Sequence, residues 1–131
     1  MANSESIFTK IIKGEIPSHK IYEDEKTFAF LDIQPIKPGH TLVVPKKQVD
    51  IWDLSEEDYQ ALMLTVRRVA HRIQEVLDPK RVGIQVVGVD VDNHAHVHVF
   101  PFNNMAEYRQ IPAPVDYEDL REIAKKLRFK E

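Results

Sequence analysis

Apolar residues recur along this chain in two periods, and the switch between them predicts most of its elements. Over residues 4–13, Ile7, Phe8, Ile11 and Ile12 fall at i, i+1, i+4 and i+5, a stripe that predicts a short amphipathic helix. Gly14 and Pro17 should end it. Residues 20–22 and 27–31 read as short strands, with the charged stretch Glu23-Asp24-Glu25-Lys26 turning between them. Two prolines and a glycine make residues 32–39 a loop, after which residues 40–45 form a β-rich run with a buried Leu-Val-Val centre. Ser55-Glu56-Glu57-Asp58 resembles a capping box. It opens a long helix whose apolar face holds Tyr59, Leu62, Met63, Val66, Val69, Ala70, Ile73, Val76 and Leu77. Asp78-Pro79 stops that helix. Strands are expected over residues 82–89 and 95–100. A last helix over residues 116–129 is expected to be capped by Asp116, with Leu120, Ile123, Ala124 and Leu127 on one face. His71 lies off the apolar face of the central helix and reads as a solvated residue without a role.

Strands stand before and after the central helix without regular βαβ alternation, so the expected class is α+β with a mainly antiparallel sheet. The 131 residues, 43% hydrophobic and 30% charged, suit one domain spanning residues 1–131. Cysteine is absent, which excludes a disulfide scaffold, a thiol nucleophile and any Cys-based zinc site. A net charge of −3 speaks against nonspecific nucleic-acid binding. Aliphatic runs such as Leu42-Val43-Val44 fall far short of the ~18 residues a membrane span needs. Residues 1–5 lack the basic and apolar parts of a signal peptide, so a cytoplasmic setting is expected.

Of six histidines, three occur at His94, His96 and His98. In a strand, positions i, i+2 and i+4 share a face, so the three imidazoles should project one way while Ala95, Val97 and Val99 turn to the core. Three readings compete: a hydrated strand face, a metal site, or metal-free catalysis with one neutral imidazole as nucleophile and its neighbours handling protons. Spacing does not separate the last two.

The chain around the triplet carries a resemblance. His94-Ala95-His96-Val97-His98-Val99-Phe100 looks like the His-φ-His-φ-His-φ-φ signature of the histidine-triad (HIT) family of nucleotide hydrolases and transferases. Residues 7–17, Ile-Phe-Thr-Lys-Ile-Ile-Lys-Gly-Glu-Ile-Pro, resemble that family's opening helix and turn. Residues 28–33 and 38–46 resemble its second block. The resemblance implies a HIT-like fold, a long central helix with short terminal helices, and a homodimer that binds a purine nucleotide or nucleotide conjugate. It implies hydrolysis of a nucleoside phosphoramidate or related nucleotide at the α-phosphorus, through a nucleotidyl-histidine. His96 matches the nucleophile, His98 the residue that contacts phosphate and helps the leaving group, and His94 the residue that orients the nucleophile. Phe8, Ile11, Phe30 and Ile33 match the apolar walls around the base. Asp32 matches the acid that accepts the ribose hydroxyls, and His40 a further histidine on the ribose side. A nucleotide-binding module without turnover is the alternative, and a metal-binding protein the less favoured one.

Two departures qualify the resemblance. One branch of the family holds a structural zinc with two cysteines, a histidine and the first triad histidine. Here Ser6, Thr9 and Gln48 occupy the first three positions, leaving only His94, so no metal and no cofactor are expected. The segment ahead of the triad is short and carries Asp90 and Asp92, and Phe102 stands where an arginine is frequent.

Overall fold

The computed structural model describes residues 4–88, 91 and 93–130. Its strands are β1 (Lys20–Glu23), β2 (Thr27–Leu31), β3 (Thr41–Pro45), β4 (Arg81–Gln85) and β5 (Val97–Phe102). They form one sheet in the order β1-β2-β3-β5-β4, and every ladder is antiparallel. The helices are α1 (Ile7–Ile12), α2 (Glu56–Leu77), α3 (Met105–Tyr108) and α4 (Tyr117–Leu127), with a 3₁₀ turn at Ile51–Asp53. The α+β class with an antiparallel sheet and a long central helix is therefore the architecture adopted.

Period-2 alternation divides the sheet into two faces. Ala29, Leu31, Val43, Val97 and Val99 pack against Leu62, Val66, Val69 and Ile73 of α2 and Leu120, Ala124 and Leu127 of α4. Phe28, Phe30, Leu42 and Val44 point the other way, under Phe8 and Ile11 of α1. In register, Phe30 pairs with Leu42, and Leu42 with His98. The last triad histidine thus lies on the α1 side, while Ala95, Val97 and Val99 lie in the helix-side core as alternation requires.

Local signals set the helix ends. Ser55 accepts from the Asp58 N–H at the start of α2, and Asp78 closes that helix in the left-handed conformation, φ 49°. Ser6 caps α1 by accepting from the Thr9 N–H. Asp116 occupies the N-cap of α4 but makes no side-chain capping bond, contrary to expectation. That helix ends at Leu127 rather than 129, because Phe129 leaves it to donate its N–H to the Ile21 carbonyl of β1. His71 is exposed, as expected.

Two strand boundaries also differ. Strand β5 starts at Val97 rather than 95, since Ala95 donates its N–H to the Val49 carbonyl outside the ladder. It runs past the expected end to Phe102, because β3 has stopped pairing at Val99 and Pro101 opposes only Val82 of β4. A proline is tolerated in a strand where one side needs no N–H. Strand β4 ends at Gln85, opposite His98, short of the expected 89. Of that expected strand and the segment after it, Val89, Asp90 and Asp92 lie outside the described residues.

Candidate active site

The site is assembled where β5, the 32–39 loop and α1 meet. Its centre is His96, only 3% exposed, whose ring lies 5.4 Å from that of His98. Phe8 of α1 sits edge-on to His94 and His96, at 5.5 and 5.1 Å between centroids, and 5.8 Å from Phe30. Ile11 is buried in the same cluster. Ile33 is not: it stands on the loop with 64% of its surface exposed. Of the apolar residues expected around a base, three converge and the fourth remains open to solvent.

Hydrogen-bond partners assign the imidazole tautomers, because a carbonyl accepts and a backbone N–H donates. His94 Nε2 lies 2.8 Å from the Pro45 carbonyl, so Nε2 carries the proton and Nδ1 the lone pair. Ser6 Oγ, 2.5 Å from that Nδ1, is the donor to it. His96 Nδ1 lies 3.0 Å from the His94 carbonyl and donates to it, which leaves the His96 lone pair on Nε2. His40 Nδ1 accepts from the Ile36 N–H at 2.9 Å, so its proton is on Nε2. That proton is given to His98 Nδ1, also at 2.9 Å, leaving the His98 proton on Nε2. In the neutral form of each ring, an Nε2 lone pair on His96 thus stands beside an Nε2–H on His98.

Burial holds the two supporting rings neutral. His40 is 1% exposed, and its pKa is lowered to about 3, chiefly by burial and then by the charge His98 would carry. Burial also lowers His94, assisted by the charge of His96 and opposed by the Pro45 carbonyl. Rather than lining an open wall, His40 backs His98 from beneath. Asp32 Oδ2 lies 3.7 Å from His40 Nε2 and 3.9 Å from His98 Nδ1, while Oδ1 accepts from the Gln34 N–H. Gly39 makes the approach to His40 possible: φ is +100°, and a Cβ there would meet Leu77 Cδ1 at 2.6 Å.

Donor atoms of Asp32, His40 and His98 all lie within 4.8 Å of one another, spaced as ligands of a cation would be. The chemistry of the set does not fit a metal. A neutral histidine ligates through a lone pair and donates its other N–H to an acceptor. His40 has the reverse arrangement, with an N–H donor at Nδ1 and the proton on Nε2. The four positions of the zinc-bearing branch also come together, but their atoms satisfy one another. Thr9 Oγ1 donates to Gln48 Oε1 at 2.8 Å, and the Ser6 N–H donates to the same oxygen at 2.7 Å. From the chain alone Ser6, Thr9 and Gln48 stand only as missing ligands, and hydropathy carries no signal of their convergence.

The HIT domain family pattern matches residues 13–105. The chain belongs to the HIT family. This HIT protein is 30% identical to the adenosine 5'-monophosphoramidase of Candida albicans over 133 aligned residues, covering 95% of this chain and 88% of that one. It is 35% identical to the protein Hit of Bacillus subtilis, covering 72% and 69% of the two chains. Among solved structures, a Hit-like protein of Bartonella henselae superposes with a TM-score of 0.84 at 31% identity, covering 98% of each chain. A zinc-bound histidine triad protein of Mycobacterium smegmatis gives 0.79 at 30% identity, covering 93% and 89%.

Proposed function

We propose that this HIT protein is a nucleotide hydrolase or nucleotidyl transferase acting on a nucleoside phosphoramidate or related purine nucleotide conjugate, through a nucleotidyl-His96 intermediate. The observation that carries the reading is the His96 tautomer: Nδ1–H is held by the His94 carbonyl, so the nucleophilic lone pair is on Nε2. In the first step that lone pair attacks the α-phosphorus and the P–N bond breaks. A substrate nitrogen that enters protonated departs as the neutral amine, and His98 Nε2–H hydrogen-bonds the phosphate and the departing group. In the second step water attacks phosphorus, the P–Nε2 bond returns its electron pair to His96, and the water proton passes to solvent. Phe8, Ile11, Phe30 and Ile33 flank the base, and Asp32 accepts the ribose hydroxyls beside the buried His40. The named activity of the Candida albicans relative supports this substrate class.

The reading includes a homodimer. Strand β4 is a sheet edge, with Ile84 42% exposed on it, and α2 presents Tyr59 and Leu64 to solvent. A second copy laid along that edge would cover apolar surface and close the open ladder of β4. The acidic charge balance supports the absence of a nucleic-acid partner, and no described helix is long and apolar enough to cross a membrane. A cytoplasmic setting and a single domain over residues 1–131 complete the proposal.

Incubation with adenosine 5'-phosphoramidate should release ammonia and AMP, and His96→Ala should lower turnover at least ~10³-fold. Equal rates for variant and wild type would sink the mechanism. Tight AMP binding without turnover would instead identify a binding module.

A further inference from the structure

The hydrogen bonds beneath the triad do more than fill the space under α1. Ser6 lies at their centre with both of its side-chain roles in use. Its Oγ accepts the Thr9 N–H at 3.0 Å, which caps α1, and its hydroxyl proton goes to His94 Nδ1 at 2.5 Å. Gln48 Oε1 holds Ser6 from behind by accepting its N–H and the Thr9 hydroxyl. The Gln48 amide is itself fixed through Nε2, which donates to the Ser4 carbonyl at 2.8 Å. From Ser6 the order passes through the His94 ring, pinned at its other nitrogen by Pro45, to the His94 carbonyl and so to His96 Nδ1–H. The same cap sets the start of the helix that lays Phe8 against both rings.

We propose that Ser6, held by Thr9 and Gln48, is a positioning residue for the nucleophile: its hydroxyl anchors neutral His94, whose carbonyl keeps the His96 proton on Nδ1. The kinetic part of this inference rests on His96 being the nucleophile; the tautomer part does not. Without the hydroxyl, His94 keeps its Pro45 anchor at Nε2, and at Nδ1 only Thr9 Oγ1, which is 3.5 Å away and gives its own proton to Gln48. The His94 carbonyl is then free to shift, and His96 gains access to the unproductive form with the proton on Nε2. The polar network adds to the burial of Phe8 and Ile11 in holding a six-residue helix that is too short to be stable by itself.

Ser6→Gly is the informative variant, because glycine at an N-cap is tolerated almost as well as serine. It removes the hydroxyl, and with it the bond from the Thr9 N–H, at little cost to the helix. Ser6→Thr restores the hydroxyl and is the rescue control. For Ser6→Gly, kcat on adenosine 5'-phosphoramidate should fall about tenfold with KM within about twofold, the loss expected for one anchoring hydrogen bond. In ¹⁵N-labelled protein, His96 should carry its proton on Nδ1 in the wild type and in Ser6→Thr, and show an admixture of Nε2–H in Ser6→Gly. Circular dichroism on each variant shows whether the fold is retained. If Ser6→Gly does not fold, Gln48→Leu in otherwise wild-type protein must show the same tautomer admixture. A His96 tautomer unchanged in the folded variant, or kcat within about twofold of wild type, overturns the proposal. Wild-type protein with no turnover at all would count against the enzymatic reading, while the ¹⁵N spectra would still decide the role of Ser6.

Discussion

Replacing His40 with phenylalanine should make the protein less stable at neutral pH and remove that deficit in mild acid. At pH 7 the neutral imidazole accepts the Ile36 N–H and donates to His98 Nδ1, each at 2.9 Å, in a position 1% exposed. Phenylalanine fills the ring volume beside Phe100, 5.2 Å away, but offers neither nitrogen. The Ile36 N–H, in a buried residue, then loses its acceptor, which costs about 1–3 kcal/mol. Unfolding entropy near 2.1 cal/mol/K per residue over 131 residues converts about 2 kcal/mol into a fall in Tm of about 7 °C. The pH term has the opposite sense. Burial, and then the charge His98 would carry, lower the His40 pKa from 6.5 to about 3 in the folded protein. Between those values the unfolded chain binds the extra proton, so this group's contribution to stability rises with pH and is lost as pH falls. Going from pH 7 to pH 5 therefore removes about 2 kcal/mol from the wild type, at about 1.36 kcal/mol per pH unit below the unfolded pKa. The phenylalanine variant has nothing to titrate at this position. His94 and His19, also lowered by burial, respond alike in both proteins and cancel in the difference. Thermal or urea denaturation followed by circular dichroism should give curves separated by about 2 kcal/mol at pH 7 that converge near pH 5. Parallel pH dependences, or a variant as stable as wild type at pH 7, would refute the buried neutral His40.

Other outcomes follow from single contacts. Gly39→Ala forces a Cβ to within 2.6 Å of Leu77 at a φ of +100°, and should cost about 1–3 kcal/mol in urea denaturation. An unchanged midpoint would show that the loop carries His40 by another route. Asp32→Ala should raise KM for a nucleotide about tenfold, more than it lowers kcat, since it removes a binding group and not the nucleophile. If its main effect is on kcat, Asp32 is not the ribose acceptor. Ile84→Glu on the β4 edge should convert a dimer to monomer in sedimentation velocity; an unaltered sedimentation coefficient places the interface elsewhere.

Periodicity made much of this protein legible. The helical face from Leu62 to Ile73 and the Ser55 cap determine α2, because both signals are local. Alternation from His94 to Val99 likewise determines that Val97 and Val99 are core residues and that His98 lies on the opposite face. The expected strand limits failed where the deciding partner is remote: the Val49 carbonyl takes the Ala95 N–H, and the end of β3 makes room for Pro101. The site divides the same way. His94, His96, His98, Asp32 and Phe8 could be named from the chain, and all five meet near one sheet face. Their chemistry could not, because an imidazole's tautomer belongs to its partners. Pro45 and Ser6 are distant in sequence from His94, as His40 is from His98, and folding alone brings carbonyl, hydroxyl and ring nitrogens into contact. Sequence thus determined most of the side chains that meet at the candidate site, while tertiary structure decided which nitrogen holds each proton.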